Sequence, residues 1–242
     1  MTRRAVLAGI AAAATGVALW RSPLITPKPL PFTDKAEPAG FRQLRAGSVS
    51  PAGAIFAGLD ESASVQRDDA AAGVAADLCG ALFRSTNPGT VPVAYFYDYQ
   101  CPICRRLTPR LRNLEGVTLT WHDLAGLGAA SETAARAAIA ARNQGAFDAF
   151  HDRMMRAAFQ PTEGYVAALA ESTGIDAARL LADMQSPEVA RQMNRSQALA
   201  DVFGMPGTPG LVIGRTLVVG DVDERTLARI VALERDAPGR CG

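Results

Sequence analysis

The hydrophobic residues of this chain fall into short apolar runs separated by longer stretches with helical spacing. Residues 91–97 are almost all apolar and rich in β-forming side chains, which predicts a buried strand. A helical pattern over residues 68–83 precedes this strand, and strand-like runs follow at residues 117–120 and 211–213. The stretch between those two runs also has helical spacing. We therefore expect an α/β protein in which a block of helices separates two groups of strands.

The N-terminal region differs from this body. Residues 1–20 combine the adjacent Arg3 and Arg4 with an Ala-rich apolar run, as export signals do. This predicts export by the twin-arginine or the Sec route, with an N-terminal membrane anchor if the segment is not cut. Residues 21–53, with prolines at 23, 27, 29, 31 and 38, show no helical period and predict an extended tether. No later apolar run reaches the roughly 18 residues that a membrane span needs.

Composition argues against several classes of function. The net charge is +1 and there is no basic tract, so we expect no nucleic-acid partner. The two histidines, His122 and His151, and the four cysteines lack the spacing of a structural zinc site. We expect a surface or packing role for both histidines, no metal and no bound cofactor.

The most informative motif is Cys101-Pro102-Ile103-Cys104, which follows the predicted strand at 91–97 after three residues. The two thiols therefore open a helix, where unpaired backbone N–H groups and the helix dipole favour a thiolate at Cys101. Cys104, one turn later, is placed to attack a mixed disulfide formed at Cys101. This predicts a catalytic pair that cycles between dithiol and disulfide. A Cu(I) site, which needs only two thiolates, is the alternative outside enzymes.

Further downstream, residues 204–209 end in Thr208-Pro209 and precede the strand at 211–213. This loop resembles the cis-proline loop of the thioredoxin superfamily, and Pro109 resembles its helix-kinking proline. The helical phrases within residues 121–154 resemble the insert of DsbA-like disulfide oxidoreductases. The resemblance implies a thioredoxin-like α/β fold with an inserted α-helical domain, and a substrate-binding role for Thr208 and Pro209.

The implied boundaries follow from these motifs. The export signal or anchor covers residues 1–20 and the Pro-rich tether covers residues 21–53. The first part of the thioredoxin-like domain covers residues 54–124, the helical insert residues 125–200, and the second part residues 201–242.

Residues around the cysteines tune the pair. In the strongly oxidising relatives the second residue between the cysteines is His, whereas here Pro102 is followed by Ile103, which carries no charge and donates no hydrogen bond. Arg105 and Arg106 are candidates to stabilise the thiolate, or they form a solvated helix face. Asp98 resembles an acidic residue of related bacterial members, with proton exchange with Cys104 or turn formation as its two possible roles. Tyr95 stands where DsbA-like proteins often carry an acidic residue.

Cys79 and Cys241 remain outside the motif. In an exported protein an even remainder of cysteines predicts a structural disulfide, and the alternative is a buried thiol at Cys79 with a free thiol at Cys241. Together these patterns predict a periplasmic oxidase of protein dithiols with a membrane redox partner. A reductase or isomerase kept reduced by such a partner is the alternative among enzymes.

Overall fold

The computed structural model describes residues 28–51, 61–84, 86–236 and 241, and for residues 61–67 it describes the backbone. The chain divides into two units, residues 1–32 and residues 33–242. Of the first unit, residues 28–32 are described and contain no helix or strand. The predicted export signal at residues 1–20 lies outside the described residues. Across the described parts of the chain, no helix is both long and apolar enough to cross a bilayer.

The strands form one large sheet and one small sheet. The strands are β1 (Thr33–Asp34), β2 (Arg42–Arg45), β3 (Ser50–Pro51), β4 (Val91–Tyr97), β5 (Val117–Asp123), β6 (Gly207–Thr208), β7 (Gly210–Ile213) and β8 (Thr216–Val219). The large sheet has the strand order β1-β2-β8-β7-β4-β5, and the small one pairs β3 with β6.

Strand β4 lies inside the large sheet, parallel to β5 and antiparallel to β7. All seven of its residues are buried. A strand covered on both faces needs a nearly continuous apolar sequence, which is why its pattern is uninterrupted rather than alternating. The strand predicted at residues 91–97 is therefore confirmed, and it fixes the position from which the cysteine motif starts.

Helices pack against the sheet, and the part of the chain between β5 and β6 is mainly helical. Five of the described helices lie between these strands, where the sequence predicts the insert. Three of these helices begin at an N-cap side chain, which accepts a hydrogen bond from the backbone amide three residues later. The three N-cap residues are Thr162, Asp176 and Ser186. The helices are α1 (Glu61–Ala76), α2 (Leu78–Leu82), α3 (Pro102–Arg112), α4 (Ala129–Asn143), α5 (Phe147–Arg156), α6 (Glu163–Ser172), α7 (Ala177–Met184), α8 (Pro187–Val202) and α9 (Glu224–Asp236).

The helix predicted over residues 68–83 is divided in two. Helix α1 ends at Ala76, and the side chain of Asp77 caps α2 by accepting a hydrogen bond of 2.8 Å from the amide of Gly80. A side chain that competes for backbone amides in this way favours a new helix start over continuation.

The prediction of an extended tether is wrong where residues 33–51 form the strands β1, β2 and β3. Strand β2 pairs parallel with β8, and Phe41 and Leu44 are buried. The stabilising partner of β2 lies more than 170 residues away in sequence, as the pairing of Gln43 with Leu217 shows. The proline-rich composition around this short strand gives no local signal of that pairing. The remainder of the tether, residues 21–27 and 52–53, lies outside the described residues.

Candidate active site

The cysteine motif begins in the turn that follows β4. The backbone amide of Cys101 donates a 3.1 Å hydrogen bond to the carbonyl of Asp98, and the amide of Gln100 donates one of 2.7 Å to the Asp98 carboxylate. Cys101 is the N-cap of α3, and Pro102 occupies its first turn, where a missing N–H costs nothing. The helix continues through Pro109 to Arg112. The predicted position of Cys101 at a helix start is thus confirmed.

The Cys101 sulfur lies among hydrogen-bonding groups. The backbone amide of Cys104 donates to it at 3.2 Å, and the carbonyl oxygen of Thr208 lies 3.6 Å from it. The pKa of the Cys101 thiol is lowered to about 5, first by the hydrogen bond from the Cys104 side chain. Burial opposes this shift, whereas the side chains of Ser50 and Thr208 add to it. Cys101 is therefore a thiolate at neutral pH.

Cys104 has the opposite character. Both cysteines are free thiols, and Cys104 is completely buried. Burial raises the pKa of Cys104, and its hydrogen bond to Cys101 and the charge of that sulfur raise it further. One sulfur of the pair thus holds a negative charge while the other holds a proton, which is the division of roles expected for an attacking and a resolving thiol.

The loop predicted to bind substrate lies against this pair. The peptide bond Thr208-Pro209 is cis, and Thr208 belongs to β6, immediately before β7. The Pro209 carbonyl accepts a 3.0 Å hydrogen bond from the amide of Gly220. The structure therefore brings Thr208, the residue before the cis peptide bond, to Cys101, although the two lie more than 100 residues apart in sequence.

Asp98 is a buried carboxylate under the turn. Its side chain accepts hydrogen bonds from the Ser131 hydroxyl at 2.7 Å, the Gln100 amide at 2.7 Å and the Leu127 amide at 3.2 Å. Burial raises the pKa of Asp98, while these hydrogen bonds partly offset that rise. Asp98 therefore shapes the turn, and its raised pKa also suits the proton exchange predicted for it. Its bond to Ser131 connects the turn to the first insert helix, α4.

The hydrogen-bond partners of the two arginines next to the motif are groups other than the cysteine sulfurs. The Arg105 guanidinium donates to the carbonyls of Tyr99 and Ala157, and Arg106 lies 3.4 Å from the Asp221 carboxylate. Among the described residues, neither guanidinium is seen to hydrogen-bond a cysteine sulfur, and stabilisation of the thiolate by their charge stays a prediction. Between the cysteines, Pro102 is exposed and Ile103 is buried.

Tyr95, at the position where relatives often carry an acid, lies under α3. Its hydroxyl donates to the carbonyl of Cys104 at 3.3 Å and lies 3.4 Å from the Thr108 hydroxyl. Burial raises the pKa of Tyr95 well above its ordinary value. A neutral hydroxyl therefore replaces a titratable carboxyl beneath Cys104.

Both histidines are buried, so of the two predicted roles packing applies. His122 Nε2 lies 2.9 Å from the carbonyl of Leu82, and His151 Nδ1 lies 2.8 Å from the hydroxyl of Tyr99. Burial lowers the pKa of His122 to about 3 and lowers that of His151 well below its ordinary value. Within the described residues, no group of three or more His, Cys, Asp or Glu side chains is arranged to hold a metal ion. The two-thiolate Cu(I) alternative stays a prediction.

The remaining cysteines are joined. Cys79 and Cys241 form a disulfide that spans 162 positions of sequence, and Cys241 packs against the hydrophobic cluster around Phe83 and Phe203.

Two residues near the active site, Ser50 and Ser131, are not predicted from the sequence. Ser131 lies in an Ala-rich helix and Ser50 in the predicted tether, and neither stands in a recognisable motif.

The comparison with protein families identifies the body of the chain. Residues 109–232, just over half of its length, match the DSBA-like thioredoxin domain. The chain belongs to this family. It is a protein-disulfide oxidoreductase of the DsbA-like type, and the predicted thioredoxin-like α/β fold is confirmed. The cysteine motif itself lies just before the matched range.

Solved structures of DsbA-like and thioredoxin-like proteins share this fold. A thioredoxin-like oxidoreductase from Silicibacter pomeroyi DSS-3 is 36% identical, with a TM-score of 0.60 over 65% of this chain and 98% of that one. The thiol-disulfide exchange protein α-DsbA2 from Wolbachia pipientis is 22% identical, with a TM-score of 0.60 over 70% of this chain and 97% of that one. The catalytic domain of Proteus mirabilis ScsC is 23% identical, with a TM-score of 0.59 over 69% and 98%. The last two similarities concern the fold alone.

A match to a curated protein is partial. The Na(+)/H(+) antiporter NhaA of Herminiimonas arsenicoxydans is 30% identical over 102 residues, which are 42% of this chain and 16% of the antiporter. The chain therefore matches less than a fifth of that protein's length, and antiport is not carried over to it.

Proposed function

We propose that this DsbA-like protein oxidises dithiols of exported proteins through Cys101 and Cys104. The observation that carries the proposal is the asymmetry of the pair, because the pKa of Cys101 is about 5 while that of Cys104 is raised. A stabilised thiolate at Cys101 stabilises the reduced form of the enzyme. A dithiol form that is stabilised makes the corresponding disulfide a stronger oxidant.

The reaction begins from the Cys101–Cys104 disulfide. A substrate thiolate attacks the Cys101 sulfur, the enzyme disulfide breaks, and Cys104 leaves and takes up a proton. A second substrate thiolate then attacks the substrate sulfur of the mixed disulfide. Cys101 leaves as a stable thiolate, so the substrate dithiol is oxidised and the enzyme disulfide is reduced to a dithiol. Asp98, buried under the turn with a raised pKa, is the group we assign to proton exchange with Cys104.

Thr208 and Pro209 are assigned to substrate binding. The Thr208 carbonyl lies 3.6 Å from the attacked sulfur, so a peptide that pairs with β6 would bring its cysteine to Cys101. We expect Pro209→Ala to change the population of mixed-disulfide complexes more than it changes folding. Wild-type turnover with an unchanged set of complexes would remove the loop from the mechanism.

The compartment we propose is the periplasm. A disulfide between Cys79 and Cys241 persists in an oxidising compartment, and the predicted export signal agrees with that location. The partners are then thiol-containing proteins and a membrane protein that reoxidises Cys101–Cys104. We also propose that α4–α8 form the inserted helical domain of the enzyme.

The decisive experiment equilibrates the Cys101–Cys104 pair with glutathione buffers and measures its reduction potential. A value near the roughly −120 mV of strong oxidants supports oxidation, and a value near the roughly −270 mV of thioredoxin overturns it in favour of a reductase. Cys101→Ser should abolish the redox transition. The double variant Cys79→Ser/Cys241→Ser serves as the control and should leave the transition in place.

A further inference from the structure

The short segment before the undescribed residues 52–60 lies directly on the proposed substrate loop. We call residues 47–51 the strap. Ser50 pairs with Thr208 and Pro51 pairs with Gly207 in the antiparallel β3–β6 sheet. At the other end of the strap, the carbonyl of Ser48 accepts a 3.0 Å hydrogen bond from the amide of Asp221. The strap therefore occupies the backbone edge of β6 with which an extended peptide would pair.

Glycines stand where the strap approaches the loops most closely. A Cβ atom at Gly207 would lie 2.0 Å from the carbonyl oxygen of Ser50, and one at Gly220 would lie 2.2 Å from that of Gly47. Any other residue at these two positions would push the strap away. The backbone contact between strap and loop thus depends on the absence of side chains at Gly207 and Gly220.

The strap also carries a polar side chain to the reactive sulfur. Ser50 stands opposite Thr208, whose carbonyl lies 3.6 Å from the Cys101 sulfur, so the strap passes beside that sulfur. The Ser50 side chain is one of the groups that lower the pKa of the Cys101 thiol. The titratable groups that face Cys101 are Cys104 on α3, Asp98 in the preceding turn and Tyr95 on β4. Ser50 differs from these because its hydroxyl donates without titrating.

We propose that Ser50 is a further catalytic residue, whose hydroxyl holds the Cys101 thiolate, and that the strap covers the peptide-binding edge until a substrate displaces it. This inference rests on the proposed function of Cys101. When a peptide pairs with β6, the strap leaves and takes Ser50 with it. The enzyme without a substrate then has a more strongly stabilised thiolate than the enzyme with a bound peptide.

The first test measures the pH dependence of alkylation of Cys101 in the reduced protein. Ser50→Ala should raise the midpoint by about one pH unit, a tenfold change in the thiol–thiolate equilibrium, and lower the reduction potential by about 30 mV. Ser50→Thr keeps a hydroxyl and should restore both values. Ser48→Ala, in the exposed part of the strap, is the matched control and should change neither. An unchanged midpoint in Ser50→Ala overturns the role of its hydroxyl.

The second test separates the strap from the hydroxyl. A Cβ atom at Gly47 would lie 2.7 Å from the Asp221 carbonyl, so Gly47→Ala should loosen the strap without altering the cysteines or β6. Its KM for a cysteine-containing peptide should fall several-fold, whereas the rate with dithiothreitol should not rise. Ser48→Ala keeps the backbone hydrogen bond of the strap to Asp221 and should leave that KM unchanged. If Gly47→Ala shows the wild-type KM, the strap does not cover the edge.

These outcomes are distinct from a failure of the proposed function. If Cys101 were not the residue alkylated in the wild type, or if Cys101→Ser kept turnover, the proposed function itself would be wrong. If Cys101 is reactive but the midpoint of its alkylation is the same in Ser50→Ala and the wild type, only the inference about Ser50 and the strap is overturned.

Discussion

The hydroxyl of Ser131 donates a 2.7 Å hydrogen bond to the buried carboxylate of Asp98. Ser131 belongs to the first helix of the insert, and Asp98 belongs to the turn that places Cys101. This polar contact therefore links the first inserted helix to the turn of the active site. Because the hydrogen bond favours the ionised carboxylate, it opposes the rise in pKa that burial imposes on Asp98.

We expect Ser131→Ala to raise the pKa of Asp98 further, since the carboxylate stays buried and loses a donor. Loss of a buried hydrogen bond to a charged group should also cost about 1–3 kcal/mol in the free energy of unfolding. The pKa is measured by carbon-13 NMR titration of the carboxyl group. Ser196→Ala removes an equally buried serine from α8 and should leave the Asp98 titration unchanged. An unshifted Asp98 in Ser131→Ala would contradict the contact.

The stability difference between the reduced and oxidised protein should depend on pH. The folded pKa of Cys101 is about 5, below the roughly 8.5 of an unfolded thiol. A depressed pKa adds stability that is full above the unfolded value and is lost as the pH falls towards 5. The reduced protein should therefore gain stability relative to the oxidised protein between pH 5 and 8, as measured by urea unfolding of both forms. A constant difference over that interval would show that Cys101 is not a stabilised thiolate.

Two neutral buried histidines should make the protein less stable in mild acid. The pKa of His122 is lowered to about 3 and that of His151 is lowered as well, so the unfolded chain binds protons that the folded protein does not. Each histidine should cost up to about 1.4 kcal/mol per pH unit below pH ~6.5. Urea unfolding at several pH values should show His151→Gln with a shallower loss than the wild type. An equal slope in the two proteins would mean that His151 is protonated in the fold.

Removing the second disulfide should reduce stability and leave the redox chemistry in place. The bond closes a loop of 162 residues, for which the chain-entropy model gives about 5 kcal/mol as an upper figure. Cys79→Ser/Cys241→Ser should therefore unfold at a lower denaturant concentration while it still oxidises thiols. Mild reductant should expose two thiols in the oxidised wild type and four only after denaturation. Loss of turnover in a folded double variant would indicate that Cys79 and Cys241 relay electrons.

The elements that are encoded locally can be predicted from the sequence. The apolar run of β4 and the cysteine motif after it are adjacent in sequence, so strand, turn and helix start could be predicted together. Thr208 was found only because its loop resembles a known family. Ser50 and Ser131 could not be found, because a serine gives no signal of a partner that lies 33 or more residues away. The same reason applies to β2, because its partner β8 lies far from it along the sequence.

The pairing of Cys79 with Cys241 has a consequence for the biogenesis of the molecule. These are the first and the last of the four cysteines along the chain, and the reactive pair lies between them. A chain that enters an oxidising compartment N-terminus first presents Cys79 together with Cys101 and Cys104, long before Cys241 arrives. Oxidation in order of arrival would join Cys79 to a reactive cysteine and give an inactive product. If the chain is exported N-terminus first, each new copy needs either delayed oxidation or a reshuffling step, for which mature copies of the same enzyme would be a source of oxidising equivalents.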